Sequence, residues 1–488
     1  MRARKPALVP LVFALLSMCG SAGAVPIMEL MNGGPSKAWS GSRTVAGDAT
    51  AAYFNPALLV STRPQSNVGF MTMWPQLKIQ LEPRPAGFDV SEAIFRGRVE
   101  TSNGLQRLSM RPLPTADLAQ ARGGGDLETP EHTISFGTVS ALVADRLHLG
   151  INGTVPVAVF QAQQPFFVDE REQYFTNTPH FELFEDRLRV MTVSVGLGYA
   201  LSSRVHLGVG ASLVNHAQTA PNIYIPDASD QSQTETNAQV EITSSLAPHF
   251  GLVVEAVDED RLVLSSAVHL AAGNRVEGGG ELQFWNYEYP EGENFIQQRF
   301  EHQYGYEPLR ASAGLRSSFG APSRRFTGHL NVLWAQWSTY VNRQAETAAD
   351  WVDTVSVDGG LDIETPDRTL RFGVLYAPTP VPPQEGRTNY VDNHRIGASL
   401  GLTEVWTFDD GALALTVGTA VQMLLARSQF KRIEDLNPVV DEFPAAVDVN
   451  TRAPIPASFG LQTNNPGFPG YGSEGFFALT GLNLKWVQ

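Results

Sequence analysis

The stretch Gly411-Ala-Leu-Ala-Leu-Thr-Val-Gly-Thr-Ala-Val-Gln-Met-Leu-Leu425 decides the fold. Leu413, Leu415, Val417, Thr419, Val421, Met423 and Leu425 share one face. Ala412, Ala414, Thr416, Gly418, Ala420 and Gln422 share the other. A period of two belongs to an extended strand, not a helix. An aliphatic face opposite a small and polar one suits a sheet with hydrocarbon on one side and a wet lumen on the other. The same alternation recurs at Leu147, Leu149, Ile151, Val155, Val157 and Val159, at Val205 to Leu213, and at Val240, Ile242, Ser244, Leu246, Phe250, Leu252 and Val254.

The connections sort into two kinds. Ala144-Asp145-Arg146, Ser202-Ser203, Asp258-Glu259-Asp260, Gly320-Ala321-Pro322-Ser323, Glu364-Thr365-Pro366-Asp367 and Phe408-Asp409-Asp410 are tight turns. Glu82–Pro130, Gln161–Asp186, Gln218–Thr236 and Arg427–Ser473 are long and polar. Short turns at one end and long loops at the other are the signature of a transmembrane antiparallel β-barrel. The pattern predicts about fourteen strands, at 67–82, 131–143, 146–160, 187–201, 204–217, 238–257, 261–272, 308–319, 324–341, 351–363, 368–378, 394–407, 412–428 and 475–487. A soluble propeller would show an internal repeat of about forty residues, and none is visible. Tyr199, Trp334, Tyr376, Trp406 and Trp486 stand near strand ends or turns, either as an interfacial girdle or as ordinary core packing.

Composition narrows the function classes. The 488 residues carry 35 Lys+Arg against 50 Asp+Glu, a formal net charge of −15, without the basic runs of a nucleic-acid binder. One cysteine, Cys19, excludes a disulfide framework. Arg2, Arg4 and Lys5, the apolar run Ala7–Met18 and Ala22-Gly-Ala24 read as a secretory signal peptide over 1–24. A lipoprotein signal ending at Cys19 fits less well, because Met18 is bulky. No later apolar run is long enough for a membrane-spanning helix. The domain reading is therefore signal peptide 1–24, a Gly-, Ala- and Ser-rich plug over 25–64, and barrel 65–488. A periplasmic tail is the alternative for 25–64.

Three stretches resemble the FadL/TodX-type outer-membrane transporters of long-chain fatty acids and other hydrophobic compounds. Gly34 to Leu58, with Asn55-Pro56-Ala57, resembles the N-terminal hatch of that family. Val332-Leu-Trp334-Ala-Gln-Trp337-Ser338 resembles its Trp-Ser strand, and Gly373 to Thr388, with Pro380-Val-Pro and Arg387-Thr, its strand and following loop. The resemblance implies fourteen strands closed around a hatch, passive uptake of a fatty-acid-like molecule, loop capture, and a lateral opening in the third strand. One departure is the C-terminus, where Trp486 is followed by Val487-Gln488 in place of a terminal aromatic residue.

The candidate site residues follow. Asn55, Pro56 and Ala57 are expected inside the barrel, with the buried Asn55 amide hydrogen-bonded to hatch or wall backbone. Asn152, Gly153 and Pro156 mark an expected bulge or kink of the third strand, since Gly tolerates unusual dihedrals and Pro has no N–H to leave unpaired. Pro75 in the first strand reads as a simple bulge. Arg310 and Arg316 face the lumen in the eighth strand, either as carboxylate attractors or paired with Glu241, Glu255 or hatch carboxylates. Phe166 and Phe167, with Tyr174, Phe175, Phe181, Phe184, Trp285, Tyr287, Tyr289 and Phe295, form either an open capture groove or closed loop mini-cores.

Other chemistry is weaker. Gly397-Ala-Ser399-Leu-Gly401 fits a nucleophile elbow, but strand alternation runs straight through it, so no enzyme is expected. The ten His residues form no ligand pair, so neither metal nor cofactor is expected. Asp126, Glu128, Glu131 and Asp169-Glu-Arg-Glu172 read as solvated loop charge, or as sites for ions bridging lipopolysaccharide. Asn152-Gly-Thr154 matches a glycosylation sequon, yet falls inside a strand. A hydrophobic small molecule, outer-membrane lipid and a monomeric state complete the expectations. A diffusion porin and a non-transporting adhesion barrel are the rival readings.

Overall fold

The computed structural model describes residues 27–34, 41–45, 47–83, 99–100, 125–144, 146–160, 166–169, 179–216, 222–225, 234–259, 262–287, 295–321, 323–343, 346–384, 388–431, 447–448 and 467–488. The proposed signal peptide lies outside them. Helix α1 (Ile27–Gly33), helix α2 (Ala51–Phe54) and a 3-10 turn, Pro56–Ser61, precede the first strand.

Fourteen strands close into one antiparallel barrel, each paired with its sequence neighbours. They are β1 (Gln65–Leu81), β2 (Glu131–Val143), β3 (Leu147–Pro156), β4 (Val190–Ser202), β5 (Val205–His216), β6 (Ser245–Glu259) and β7 (Leu262–Ala271). β8 (Arg310–Ala321), β9 (Arg324–Ala335), β10 (Thr354–Glu364), β11 (Arg368–Ala377), β12 (Arg395–Phe408), β13 (Gly411–Phe430) and β14 (Gly470–Val487) complete the wall. β14 returns to β1, with Gln65 beside Val487 and Leu81 beside Tyr471. Closure leaves no edge strand, the condition for crossing hydrocarbon with strands.

The side chains alternate as the period of two demands. Val417, Val421 and Met423 of β13 point outward and are exposed, while Ala414, Thr416, Ala420 and Gln422 are buried inside. Val68, Phe70, Leu197, Val209, Phe250, Leu330, Leu400 and Leu482 extend the same apolar exterior around the barrel. An apolar surface this continuous belongs in lipid. Tyr199, Tyr376 and Trp406 stand outward and exposed near strand ends, and Trp486 stacks on Phe408 at 6.0 Å. No helix among the described residues is long and apolar enough to span a membrane, which leaves strand crossing untouched.

Four expectations need correction. The strand expected over 238–257 is two elements. Thr234–Thr243 leaves the wall for a three-stranded sheet with Asn274–Asn286 and Phe295–Glu307, and only Ser245–Glu259 is barrel. Period two is the same in any sheet, so alternation alone runs through the break. The strand expected to reach 341 ends at Ala335, because Trp337–Thr339 forms a 3-10 turn with Trp337 buried under the loops. The third strand ends at Pro156, not at residue 160, and Val157–Phe160 turns away as a 3-10 turn. Pro75 makes no bulge: β1 pairs with β14 in unbroken register through Pro75 opposite Phe477.

Candidate functional site: the occupied lumen and the lowered wall

Asn55 joins α2 to the 3-10 turn in extended geometry, φ −169° and ψ 96°, and caps that turn by accepting from Ala57 N at 3.2 Å. Pro56 takes the first position of the turn, where its missing N–H costs nothing. The Asn55 Nδ2 group donates to Arg43 O at 3.4 Å and to the wall at Val268 O, 3.5 Å. Asn55 and Ala57 are fully buried.

What they are buried against is glycine. A Cβ at Gly208 of β5 would overlap Ala57 N, and one at Gly251 of β6 would overlap Asn55 Oδ1. Both glycines lie on the strand face opposite exposed Leu207, Val209 and Phe250, which is the lumen face. Only a wall without side chains lets the Asn55–Ala57 backbone come this close. Leu58 and Leu59 pack into a small buried cluster that includes Val139, Val253 and Ala267. Gln65 Nε2 and Lys485 Nζ both donate to Gly47 O at 3.1 Å, fixing this segment near the short-turn end.

Charge ties the N-terminal helix to the wall. Arg310 Nη1 donates to Glu29 Oε1 at 3.0 Å and Tyr53 OH at 2.7 Å, and Arg310 Nη2 to Glu307 Oε2 at 3.3 Å. Arg43 takes the other Glu29 oxygen and lies 5.3 Å from the Phe54 ring centroid. Arg316 pairs with Glu255 at 3.0 Å. Of the partners expected for these two arginines, Glu255 and a carboxylate of the N-terminal segment, Glu29, are present. Glu241 lies outside the barrel, in the three-stranded sheet.

The third strand carries a different feature from the expected bulge. Its register with β2 runs without a shift from Ala141 opposite His148 to Thr133 opposite Pro156. On the other side, pairing with β4 stops at Thr154 opposite Thr192. Among the described residues, Val155 and Pro156 thus have a ladder partner on one flank only. Gly153 points outward directly opposite Phe136, whose ring occupies the space where a Cβ would stand. Asn152 and Thr154 point into the lumen and are buried. Thr154 Oγ1 donates to Asn32 Oδ1 of α1 at 3.1 Å, and Asn152 Nδ2 has no hydrogen-bond partner among the described residues. The wall is also low beside β1, where the ladder to β2 ends at Met73 opposite Glu131. Beyond it, among the described residues, the bridge Leu77–Leu127 and a bond from Ile79 N to Asp126 Oδ1, 2.8 Å, flank β1 on that side.

Over the long-loop end sits a closed apolar cluster. Phe181 and Phe184 are fully buried, Phe184 packs on Phe477 of β14 at 5.8 Å, and Tyr340 stacks on Trp351 at 3.7 Å. The described loop aromatics here form a mini-core, not an open groove. Within it Glu182 is buried beside His180, Arg187, Arg343 and Tyr340 OH. Burial works to raise its pKa, but Arg343, His180 and Arg187 outweigh it and hold the carboxyl well below the usual range. Elsewhere Trp285 packs on Phe295 at 5.0 Å and Tyr287 is exposed. Phe166 and Phe167 belong to a short strand, Phe166–Asp169, parallel to Asn222–Ile225. Tyr174, Phe175, Tyr289 and 170–172 lie outside the described residues.

Sequence reading missed Glu29, Tyr53, Glu182 and Arg189. Glu131, taken as loop charge, is the buried first residue of β2 and pairs with Arg189. Ser399 lies within the continuous strand β12, away from any strand-to-helix turn. Among the described residues no group of three or more His, Cys, Asp or Glu is placed to hold a metal ion.

No protein-family model matches this sequence, and no curated protein does. Among solved structures, a FadL homologue of Pseudomonas aeruginosa matches with TM-score 0.51 and 13% identity, over 96% of this chain and 100% of that one. The toluene transporter TodX of Pseudomonas putida matches at 0.44 and 11%, over 91% and 96% of the two chains. The toluene transporter TbuX of Ralstonia pickettii matches at 0.40 and 11%, over 94% and 99%. Together with the fourteen-stranded closure, the first of these gives the conclusion about architecture: the chain has the FadL-type β-barrel fold.

Proposed function

We propose that the protein is a monomeric outer-membrane channel for passive uptake of a hydrophobic molecule, with long-chain fatty acids as the first substrate class. The supporting observation is the combination, among the described residues, of a lumen occupied by 41–45 and 47–62 and a wall lowered at β2 and β3. A water-filled diffusion porin needs an open polar lumen, which the buried Asn55-Pro56-Ala57 segment obstructs. An adhesion barrel needs neither an occupied lumen nor a lowered wall.

In this reading residues 25–64 act as the hatch, and Asn55 holds it by capping its turn and by bonding to β7 backbone. Apolar molecules meet the external loops first, with Phe166 and Phe167 as capture residues in the outer-membrane lipid and lipopolysaccharide layer. They leave sideways into the bilayer where β3 loses β4, beside Asn152, Gly153 and Pro156. Lateral exit spares an apolar solute the transfer into water, worth about 0.8 kcal/mol per methylene. Arg310 and Arg316 serve as scaffolding, since each is already engaged by carboxylates.

Binding of a fluorescent fatty acid to the purified protein, beside liposome swelling in sugars, tests the reading. Saturable binding without sugar-driven swelling is expected; swelling without binding returns the porin. Arg310→Met should lower barrel stability by about 3 kcal/mol or more, because it strands buried carboxylates. It should weaken binding of the acid and its methyl ester equally. Selective loss of the acid would give Arg310 a direct ligand role.

A further inference from the structure

Beyond the last β3–β4 pair, a side-chain pair joins β2 to the residue just before β4. β2 opens at Glu131, two residues beyond the Thr133–Pro156 pair. Arg189 lies three residues before Thr192, the last β4 residue paired to β3. Had β3 run on, residues 157 and 158 would lie between Arg189 and Glu131. Instead Val157–Phe160 turns off as a 3-10 turn. Arg189 Nε and Nη2 both donate to Glu131 Oε1, at 3.0 and 2.8 Å. Glu131 shares the inward parity of buried Thr133, while His132 between them is exposed, so the carboxylate end of the link is on the lumen side.

β2 and β4 are not hydrogen-bonded to each other anywhere in the barrel, being separated by β3. Above Thr154 the Glu131–Arg189 pair is a direct connection between the segments that bound the gap. Two N–H groups on one carboxylate oxygen make a charge-assisted tie with fixed geometry. It is not locked away: the Arg189 side chain is 31% exposed, so water can take over its hydrogen bonds when it lets go. A ladder bond broken in hydrocarbon has no such replacement. We infer that Glu131 and Arg189 form a tie bar that sets the width of the lateral opening, and that a bulky apolar molecule passes when this pair parts. The inference rests on the lateral-release reading and adds its control.

The test uses the full-length protein in proteoliposomes, with uptake and equilibrium binding of a fluorescent long-chain fatty acid measured separately. Glu131→Gln and Arg189→Gln should each raise the uptake rate about two- to fivefold, the range set by a part-exposed ion pair. Binding should stay unchanged. The exchange Glu131→Arg with Arg189→Glu should return uptake to the parental rate, which a merely structural contribution to loop order would not require. Unaltered uptake in both single variants, or an exchange that behaves like them, overturns the tie bar. Val155→Cys with Met191→Cys then separates this from failure of lateral release. These positions would face each other if the β3–β4 ladder ran one pair further, and a disulfide or a short bifunctional maleimide closes the gap. Closure that stops uptake while the single variants are silent removes the tie bar alone. Closure without effect on uptake removes lateral release, and the tie bar with it.

Discussion

The two flanks of β1 are one stretch of seventeen residues with opposite fates. Toward β14 it is laddered from Gln65 to Leu81; toward β2 the ladder stops at Met73. Trp74 to Leu81, about 26 Å of strand at about 3.3 Å per residue, therefore stands above its neighbour on one side. β13 and β14 are 20 and 18 residues long, β2 and β3 only 13 and 10. Wall height is thus a property of the neighbour's length, not of β1's own sequence. A barrel can be continuous as a sheet and still be low on one side.

The tall flank should be the more sensitive to damage. Gly475 of β14 has φ 143° and sits against the backbone at Gln76 and Leu77 of β1. Gly475→Val combines a strained dihedral with overlap on backbone that cannot yield, and should cost about 3 kcal/mol. The readout is the temperature at which the barrel loses its compact electrophoretic mobility; an unshifted temperature would mean that the seam is not continuous there.

On the low flank the corresponding test is Gly153→Ala, which pushes the Phe136 ring off its seat at a cost of about 1–3 kcal/mol. Adding Phe136→Ala should recover most of that loss, since the two residues face each other directly. Additive losses in the same thermal assay would show that the ring is held by something else.

The smallest effect concerns Lys431, at the top of tall β13. It is buried, donates from Nζ to Thr388 O, and burial pushes its pKa down to about 7. An unfolded lysine keeps its proton to about pH 10.4. Between these values the unfolded state binds more protons, so stability rises with pH from about 7 toward 10 and is lowest below 7. Lys431→Met should flatten that slope, followed by amide exchange of residues 428–431 against pH; an unchanged slope would assign it to another group.

Much of the architecture is written locally. Alternation and tight turns place all fourteen strands, because one face must meet hydrocarbon and each short turn leaves its residues little freedom. The Asn55-Pro56 cap is equally local, as an Asn acceptor and a Pro with fixed φ suit the start of a turn. What alternation cannot report is which sheet a strand joins, hence the lost break at Ser244. Nor does it report where a ladder loses one neighbour, since Val155 and Pro156 continue the pattern after β4 has gone. Ion pairs such as Arg189 with Glu131 join residues 58 apart, and no spacing rule connects them before the register is known.

The seam between β1 and β14 also fixes an order of events. Gln65 and Val487 meet across nearly the whole chain, and contacts that distant in sequence carry the greatest chain-closure entropy and tend to form late. The same two strands supply Gln65 and Lys485, whose side chains both grip the Gly47 carbonyl. Sealing the cylinder therefore also completes the grip on the Gly47 carbonyl. A nascent chain halted before β14 would be an open trough whose N-terminal segment, already held at Val268, Arg310 and Thr154, still lacks the Lys485 bond.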